Sequence, residues 1–323
     1  MTAKLLQFGV QFGDGTVRAS AKWATRAIFG YGSGANFGQY YSMTNLVNNY
    51  GGVATDTTGV GTVRTALACA SFGIDRATFA FGSNSPYNTS YLNISNTVSN
   101  TGVVSNDNTG IGTARASLAA AGYGGDKAIF GYGFIGNVSP NYFAMTNLLS
   151  NIGVMATDTS GVGTVRSGLA AASYGGDKAI FGYGQLNGSG TGTAITNLVS
   201  NTGVVSTDTT GVGTLRYSLA ATSYGGDKAV FGYGNNINNY YSMTNLVSNT
   251  GVVSTDVTGV GTTRIGPAAA GYGGDKALFG YGYLGGTGLI SATNKVSNIG
   301  VVGSDITGIG TARNSLAAAS YSS

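Results

Sequence analysis

Short apolar runs punctuated by glycine recur along this chain, and their spacing predicts strands rather than helices. Between Arg115 and Arg166 the first run is ASLAAAGY, small and apolar, followed by the turn Gly124-Gly125-Asp126. Glycine pairs of this kind join adjacent antiparallel strands. The next run, KAIFGYG, sets Ala128, Phe130 and Tyr132 against Lys127, Ile129 and Gly131, an alternation that predicts a strand over 127–133. After a loop, TNLLSNIGVMATD supplies two further short β runs broken at Asn151-Ile152-Gly153. No stretch holds an apolar period of 3.6 long enough for a helix.

The same order returns about every 50 residues. It is marked by Arg18, Arg64, Arg115, Arg166, Arg216, Arg264 and Arg313, each closing a step such as GTVR or GTAR. A period of this length signals stacked supersecondary units, and four short antiparallel strands per unit fit the blade of a β-propeller. The alanine-rich run suits an innermost strand crowded around a shared axis, and the Phe and Tyr of AIFGYG suit the space between blades. A β-solenoid fits less well, because solenoid coils repeat over about 20–30 residues. The fold class expected is therefore all-β, one propeller domain over residues 1–323, without a linker. Seven blades are expected, the last built from KLLQFGVQF and DGTVR at one end and NSLAAASY at the other, with Ala19 to Thr25 a degenerate first innermost strand; six is the alternative. Pairing the termini would remove two open sheet edges.

The sequence of arginine, short apolar strand, glycine turn, apolar strand ending in Gly131-Tyr132-Gly133 and variable loop resembles the kelch repeat of kelch and galactose-oxidase-type propellers. The tryptophan of that repeat's fourth strand is missing from every copy, and Trp23 stands elsewhere. The wording GGDKAIFGYG followed by TNLVSNTGVVSTDTTGVGT is also similar to repeat-rich proteins of tailed bacteriophages. That resemblance implies a virion appendage or another extracellular surface as the location.

Composition narrows the chemistry. Charged residues are 9% of the chain, against roughly 25% in an average domain. The sixteen basic residues are spread one or two to a repeat, whereas a nucleic-acid groove needs a clustered patch. No run reaches the roughly 18 apolar residues that span a bilayer, so no membrane insertion is expected, and no secretory signal is visible in the first 20 residues. Cys69 stands where other copies carry alanine and reads as a small buried filler.

Histidine and glutamate are absent, so Ser-His-Asp or Cys-His catalysis and histidine-bound copper cannot be written. Eleven of the twelve aspartates fall into two repeated series: Asp56, Asp107, Asp158, Asp208, Asp256 and Asp305 in TDTTG turns, and Asp75, Asp126, Asp177, Asp227 and Asp275 in GGDK turns. Repetition denies a pair of carboxylates the unlike environments that a glycosidase requires, and aspartate suits turns by bonding its own backbone. No enzymatic activity and no cofactor are expected, and one aspartate per turn is thin for calcium. Each TDTTG aspartate lies about eight residues before an arginine. Arg64, Arg115, Arg166, Arg216, Arg264 and Arg313 could thus line one mouth as an anion-holding ring, or pair with the turn or a neighbouring blade as structural ions.

The copies differ chiefly after AIFGYG, in SGANFGQYYSM, SNSPYNTSYLNI, FIGNVSPNYFAM, QLNGSGTGTAI, NNINNYYSM and YLGGTGLISA. These loops, rich in Tyr, Asn, Ser and Gly, are expected on one face, where rigid aromatic rings beside small amides suit binding. The candidate ligand-binding residues are Tyr40, Tyr41, Tyr87, Tyr91, Tyr142, Phe143, Tyr240, Tyr241 and Tyr283. A glycan or protein partner is expected; self-association as a structural spacer is the alternative.

Overall fold

The computed structural model describes residues 4–6, 9–11, 17–19, 25–85, 89–136, 141–186, 190–286 and 288–322. Six three-stranded antiparallel sheets follow one plan, inner, middle and outer strand. Sheet 1 comprises Ala68–Phe72, Arg76–Ala80 and Ser95–Val98; sheet 2, Ala119–Tyr123, Lys127–Gly131 and Thr146–Leu149; sheet 3, Ala170–Tyr174, Lys178–Gly182 and Thr196–Val199. Sheet 4 holds Ala220–Tyr224, Lys228–Gly232 and Thr244–Val247; sheet 5, Ala268–Tyr272, Lys276–Tyr283 and Leu289–Val296; sheet 6, Ala317–Ser322, Thr25–Ser33 and Tyr40–Val47.

The middle strands are apolar on both faces because both are covered. Ala128, Ile129 and Phe130 are all fully buried, and their equivalents repeat this in the other sheets. The inner strands of sheets 2, 4 and 6 alternate instead, as Ala119, Ala121 and Tyr123 are buried while Ala120 and Gly122 are half-buried; those of sheets 1 and 3 are half-buried only at Ser71 and Ser173, and that of sheet 5 is buried throughout. Where it occurs, that alternation leaves one side of the inner strand less covered than the other. Successive inner strands touch in the order of the sheets, and that of sheet 6 touches that of sheet 1.

Backbone hydrogen bonds follow the same order around the axis. Ser117 N donates to the Ala66 carbonyl, Gly168 N to Ser117, Ser218 N to Gly168, Gly266 N to Ser218, Ser315 N to Gly266 and Ala66 N to Ser315, at 2.7–2.9 Å. At the opposite end the Gly73, Gly124, Gly175 and Gly225 amides donate to the Asp126, Asp177, Asp227 and Asp275 carbonyls, each at 2.7 Å.

Two expectations need correction. The fourth strand of each unit is not a regular strand: Met155 and Thr159 meet the outer strand of sheet 2 only as isolated bridges to Leu149 and Thr146. The side chain of Asn147 explains this, because its Nδ2 takes the Ala156 carbonyl (3.1 Å) that a continuing ladder would use. Nor do the two chain ends build a unit of their own. Ala317–Ser322 pairs with Thr25–Ser33 in the register Ala319↔Ile28, the match of Ala121↔Ile129 in sheet 2, so the last strand supplies the inner strand that the first repeat needs. Lys4–Leu6, Gly9–Gln11 and Val17–Ala19 form a separate three-stranded sheet. Most of the expected strand from Ala19 to Thr25 lies outside the described residues.

Candidate binding face

Each middle strand ends in a bend that decides where the loops begin. Tyr132 has φ 66° and Gly133 φ 99°, and Tyr31, Phe81, Tyr183, Tyr233 and Tyr281 take the same left-handed conformation. For a residue with a side chain this costs on the order of 1 kcal/mol. Burial of the ring offsets the cost: Tyr132 is fully buried, meets Phe181 of the next sheet edge-on with centroids 5.1 Å apart, and donates its hydroxyl to the Val162 carbonyl at 3.1 Å. Burial also pushes its phenol up to about 12.

Over that ring lies the arginine of the next junction. The guanidinium carbon of Arg166 is 4.3 Å from the Tyr132 centroid, its Nη2 donates to Asn197 Oδ1 at 2.5 Å, and its Nη1 donates to the Thr164 carbonyl at 3.1 Å. Asp208 Oδ1 is 3.8 Å from Nη1, too far for a hydrogen-bonded ion pair. The carboxylate instead accepts from the Thr164 amide and hydroxyl and from Asn197 Nδ2. Burial raises its pKa, yet the bonds from Thr164 and Asn197 and the charge of Arg166 outweigh this and hold it below the ordinary carboxylate range.

The same junction recurs at Arg64, Arg115, Arg216, Arg264 and Arg313, which stack on Tyr31, Phe81, Tyr183, Tyr233 and Tyr281. Their aspartates are Asp107, Asp158, Asp256, Asp305 and Asp56. Two corrections follow. Of the two structural pairings expected, each arginine takes the neighbouring one, meeting the aspartate of the following unit and not the one eight residues before it, and these aspartates tie a neighbour's turn rather than their own. All six arginines are fully buried beneath aromatic rings, so no cationic ring reaches a mouth. Desolvation lowers the pKa of each, that of Arg115 to about 10.

The six variable loops all spring from beside these junctions. Their first residues, Ser33, Ser83, Phe134, Gln185, Asn235 and Tyr283, bridge the residue that follows each arginine: Asn314, Thr65, Ala116, Ser167, Tyr217 and Ile265. The loops therefore share one end of the molecule, and their sequences contain no charged residue. Adjacent loops touch, for the Gly192 amide donates to Asn236 Oδ1 at 3.0 Å.

The expected aromatic residues divide into two groups. Tyr91 and Tyr142, from different loops, meet on Phe134: Tyr142 stacks on it at 5.8 Å, Tyr91 meets it edge-on at 5.8 Å, and Tyr91 Oη accepts from the Gly136 amide at 2.6 Å. Phe143 follows, its amide bonded to the Gly133 carbonyl. Tyr40 and Tyr41 begin the outer strand of sheet 6, Tyr240 closes the hairpin Asn235–Asn236 with Asn239–Tyr240, Tyr241 bonds Gly234, and Tyr283 ends the middle strand of sheet 5. All eight are half-buried; Tyr87 lies outside the described residues.

Sequence reasoning missed Phe134 as the hub and Asn45, Asn96, Asn147, Asn197, Asn245 and Asn294 as the buried arginine acceptors. The signal for the asparagines was present, since a polar residue recurs in an apolar strand at one place in every copy. Among the described residues, no three Asp, Glu, His or Cys side chains gather as metal ligands, and no helix is long and apolar enough to cross a membrane. No protein-family model and no curated protein matches the chain.

Proposed function

We propose that the chain is a six-bladed β-propeller serving as a non-enzymatic binding module, whose loop end engages a surface glycan or a partner protein, as an appendage of a phage-like virion would. The unbroken order of inner-strand contacts and hydrogen bonds supports six blades, with the last strand of the chain closing the ring. The observation that carries the functional reading is the contrast between six junctions of one design and six unlike, uncharged loops anchored beside them. A rigid ring holds half-buried aromatics in place, so little conformational entropy is lost when they meet a partner. The six junction aspartates support a non-enzymatic role, because pKa values held below the ordinary carboxylate range in repeated surroundings suit neither general acid nor general base.

The test is a glycan array and host-cell binding assay with Tyr142→Ala, Tyr40→Ala and Tyr240→Ala beside the unaltered protein. Loss of binding in these variants is the expected result; a variant set that binds as well as the parent would overturn the loop end as the site. A second reading, a self-packing spacer, is favoured by the exposed valines Val103, Val154, Val204, Val252 and Val301, one in each of five units, with Gly52 at that place in the sixth. It requires assembly of the purified chain without a ligand.

A further inference from the structure

The end of the axis opposite the loops opens into a cavity of about 310 Å³. The six inner strands line it at one register with Ser71, Gly122, Ser173, Ser223, Gly271 and Ser320. At the loop end lies a separate, smaller cavity of about 90 Å³ among leucines and the residues of the hydrogen-bonded cycle. The serines of the larger cavity are already oriented: Ser71 Oγ donates to the Ser320 carbonyl at 2.7 Å, Ser173 Oγ to Gly122 at 2.8 Å and Ser320 Oγ to Gly271 at 2.9 Å. With its proton engaged, each of these oxygens keeps acceptor lone pairs.

Two glycines change the shape of this ring. Gly122 belongs to sheet 2 and Gly271 to sheet 5, three inner strands apart in either direction. Removing side chains from opposite positions turns a round cross-section into a slot. Neither glycine has a positive φ, and an added Cβ would come no closer than 3.2 Å to its nearest neighbour, a serine Oγ, so the backbone does not demand glycine there. At the mouth stand Asp126, Asp227 and Asp275, each beside a lysine: Lys127 at 3.5 Å, Lys228 at 3.1 Å and Lys276 at 2.9 Å. Their charges cancel while their donors and acceptors remain.

We propose that this slot binds a neutral cyclic polyol, the size of one hexopyranose unit. The cavity volume sits at the lower end of small-molecule sites, the slot suits a flat ring, and the lining offers hydrogen bonds without net charge. The site is distinct from the loop end and independent of what the loops recognise.

The test titrates the whole protein with glucose, galactose and myo-inositol by calorimetry, beside Gly122→Ser/Gly271→Ser. That variant carries the serine of the other four sheets, and its melting curve should match the parent's. Saturable binding of at least one probe by the parent, weakened about tenfold or more in the variant, is expected, since one added group filling a pocket has effects of that order. Absence of saturable binding by the parent would overturn the proposal. So would equal binding by the variant, which would place the sugar elsewhere.

Discussion

The junctions between sheets and the loops beside them start from the same residue, yet they have opposite relations to the repeat. At the junction, Arg, Thr, Asn and Asp occupy the same geometry six times, with arginine Nη2 to asparagine Oδ1 distances of 2.5–2.7 Å. One residue further on, the bridging pairs are Ser33 with Asn314, Phe134 with Ala116 and Tyr283 with Ile265, with nothing in common but backbone hydrogen bonds. The difference shows where side-chain identity is constrained. A buried guanidinium needs its two Nη groups met in a fixed plane, although Nε finds a carbonyl only in Arg115 and Arg313, whereas a bridge made by backbone accepts any side chain. The protein can therefore vary its loops freely without loosening the junctions between its sheets.

The strongest way to break this contrast is to remove one junction arginine. Arg166→Met leaves Asn197 Oδ1 and the Thr164 carbonyl without their donor and Asp208 without its cation. Loss of one member of a buried polar cluster costs about 3–5 kcal/mol. The midpoint of chemical denaturation should fall accordingly. Arg166→Lys should recover little, because an ammonium cannot lie flat on Tyr132 while donating to two carbonyl-type oxygens. Tyr142→Ala, in a loop, should shift the midpoint far less, and an equal loss at both places would erase the distinction.

Acid sharpens the comparison, since all six junctions hold an aspartate and the loops hold none. The folded pKa of Asp56, Asp107, Asp158, Asp208, Asp256 and Asp305 lies below the ordinary value. Groups depressed by folding stabilise the folded state above their unfolded pKa and lose that contribution as pH falls through the folded one. Stability should therefore hold near neutrality and decline below about pH 4, where aspartate begins to protonate. Asp208→Asn should cost about 1–3 kcal/mol at neutral pH, the range for a hydrogen-bonded charge. The variant should also show a shallower acid decline than the parent in denaturation followed across pH.

Much of the fold was legible because the chain states it repeatedly. The run ASLAAAGY, the glycine turn and the AIFGYG strand expected over 127–133 located the inner and middle strands, which stand at 119–123 and 127–131, the latter ended early by the bend at Tyr132. What misled was anything that depended on contacts between units. Asp158 and Arg166 are close in sequence, but Asp158 bonds Thr113 and lies near Arg115, because each junction joins the end of one unit to the turn of the next. Within a repeat, sequence distance cannot say which copy a side chain meets. The fourth run read as strand for a related reason: its Met155 does pack against the core, but Ile152 and Val154 are exposed and Asn147 takes the Ala156 carbonyl. At the loop end, composition identified aromatic loops, yet the meeting of Tyr91 and Tyr142 on Phe134 depends on two neighbouring sheets and has no local signature.

The smallest effect concerns a departure that the chain has already made within its own framework. Five junctions rest on a tyrosine whose hydroxyl bonds a carbonyl of the turn before the arginine, as Tyr233 does with Val260 at 3.2 Å. The sixth rests on Phe81, with Arg115 4.4 Å above its ring, against 4.1 Å for Arg264 over Tyr233. Stacking and burial are thus kept without the hydroxyl, so the ring carries the packing and the hydroxyl only one hydrogen bond. Tyr233→Phe should then cost about 0.5–1.5 kcal/mol, the net worth of a typical hydrogen bond, while Phe81→Tyr should be neutral or stabilising if the turn before Arg115 offers its carbonyl as the others do. A loss at Tyr233 as large as that of Arg166→Met would mean that the hydroxyl positions the turn for the arginine.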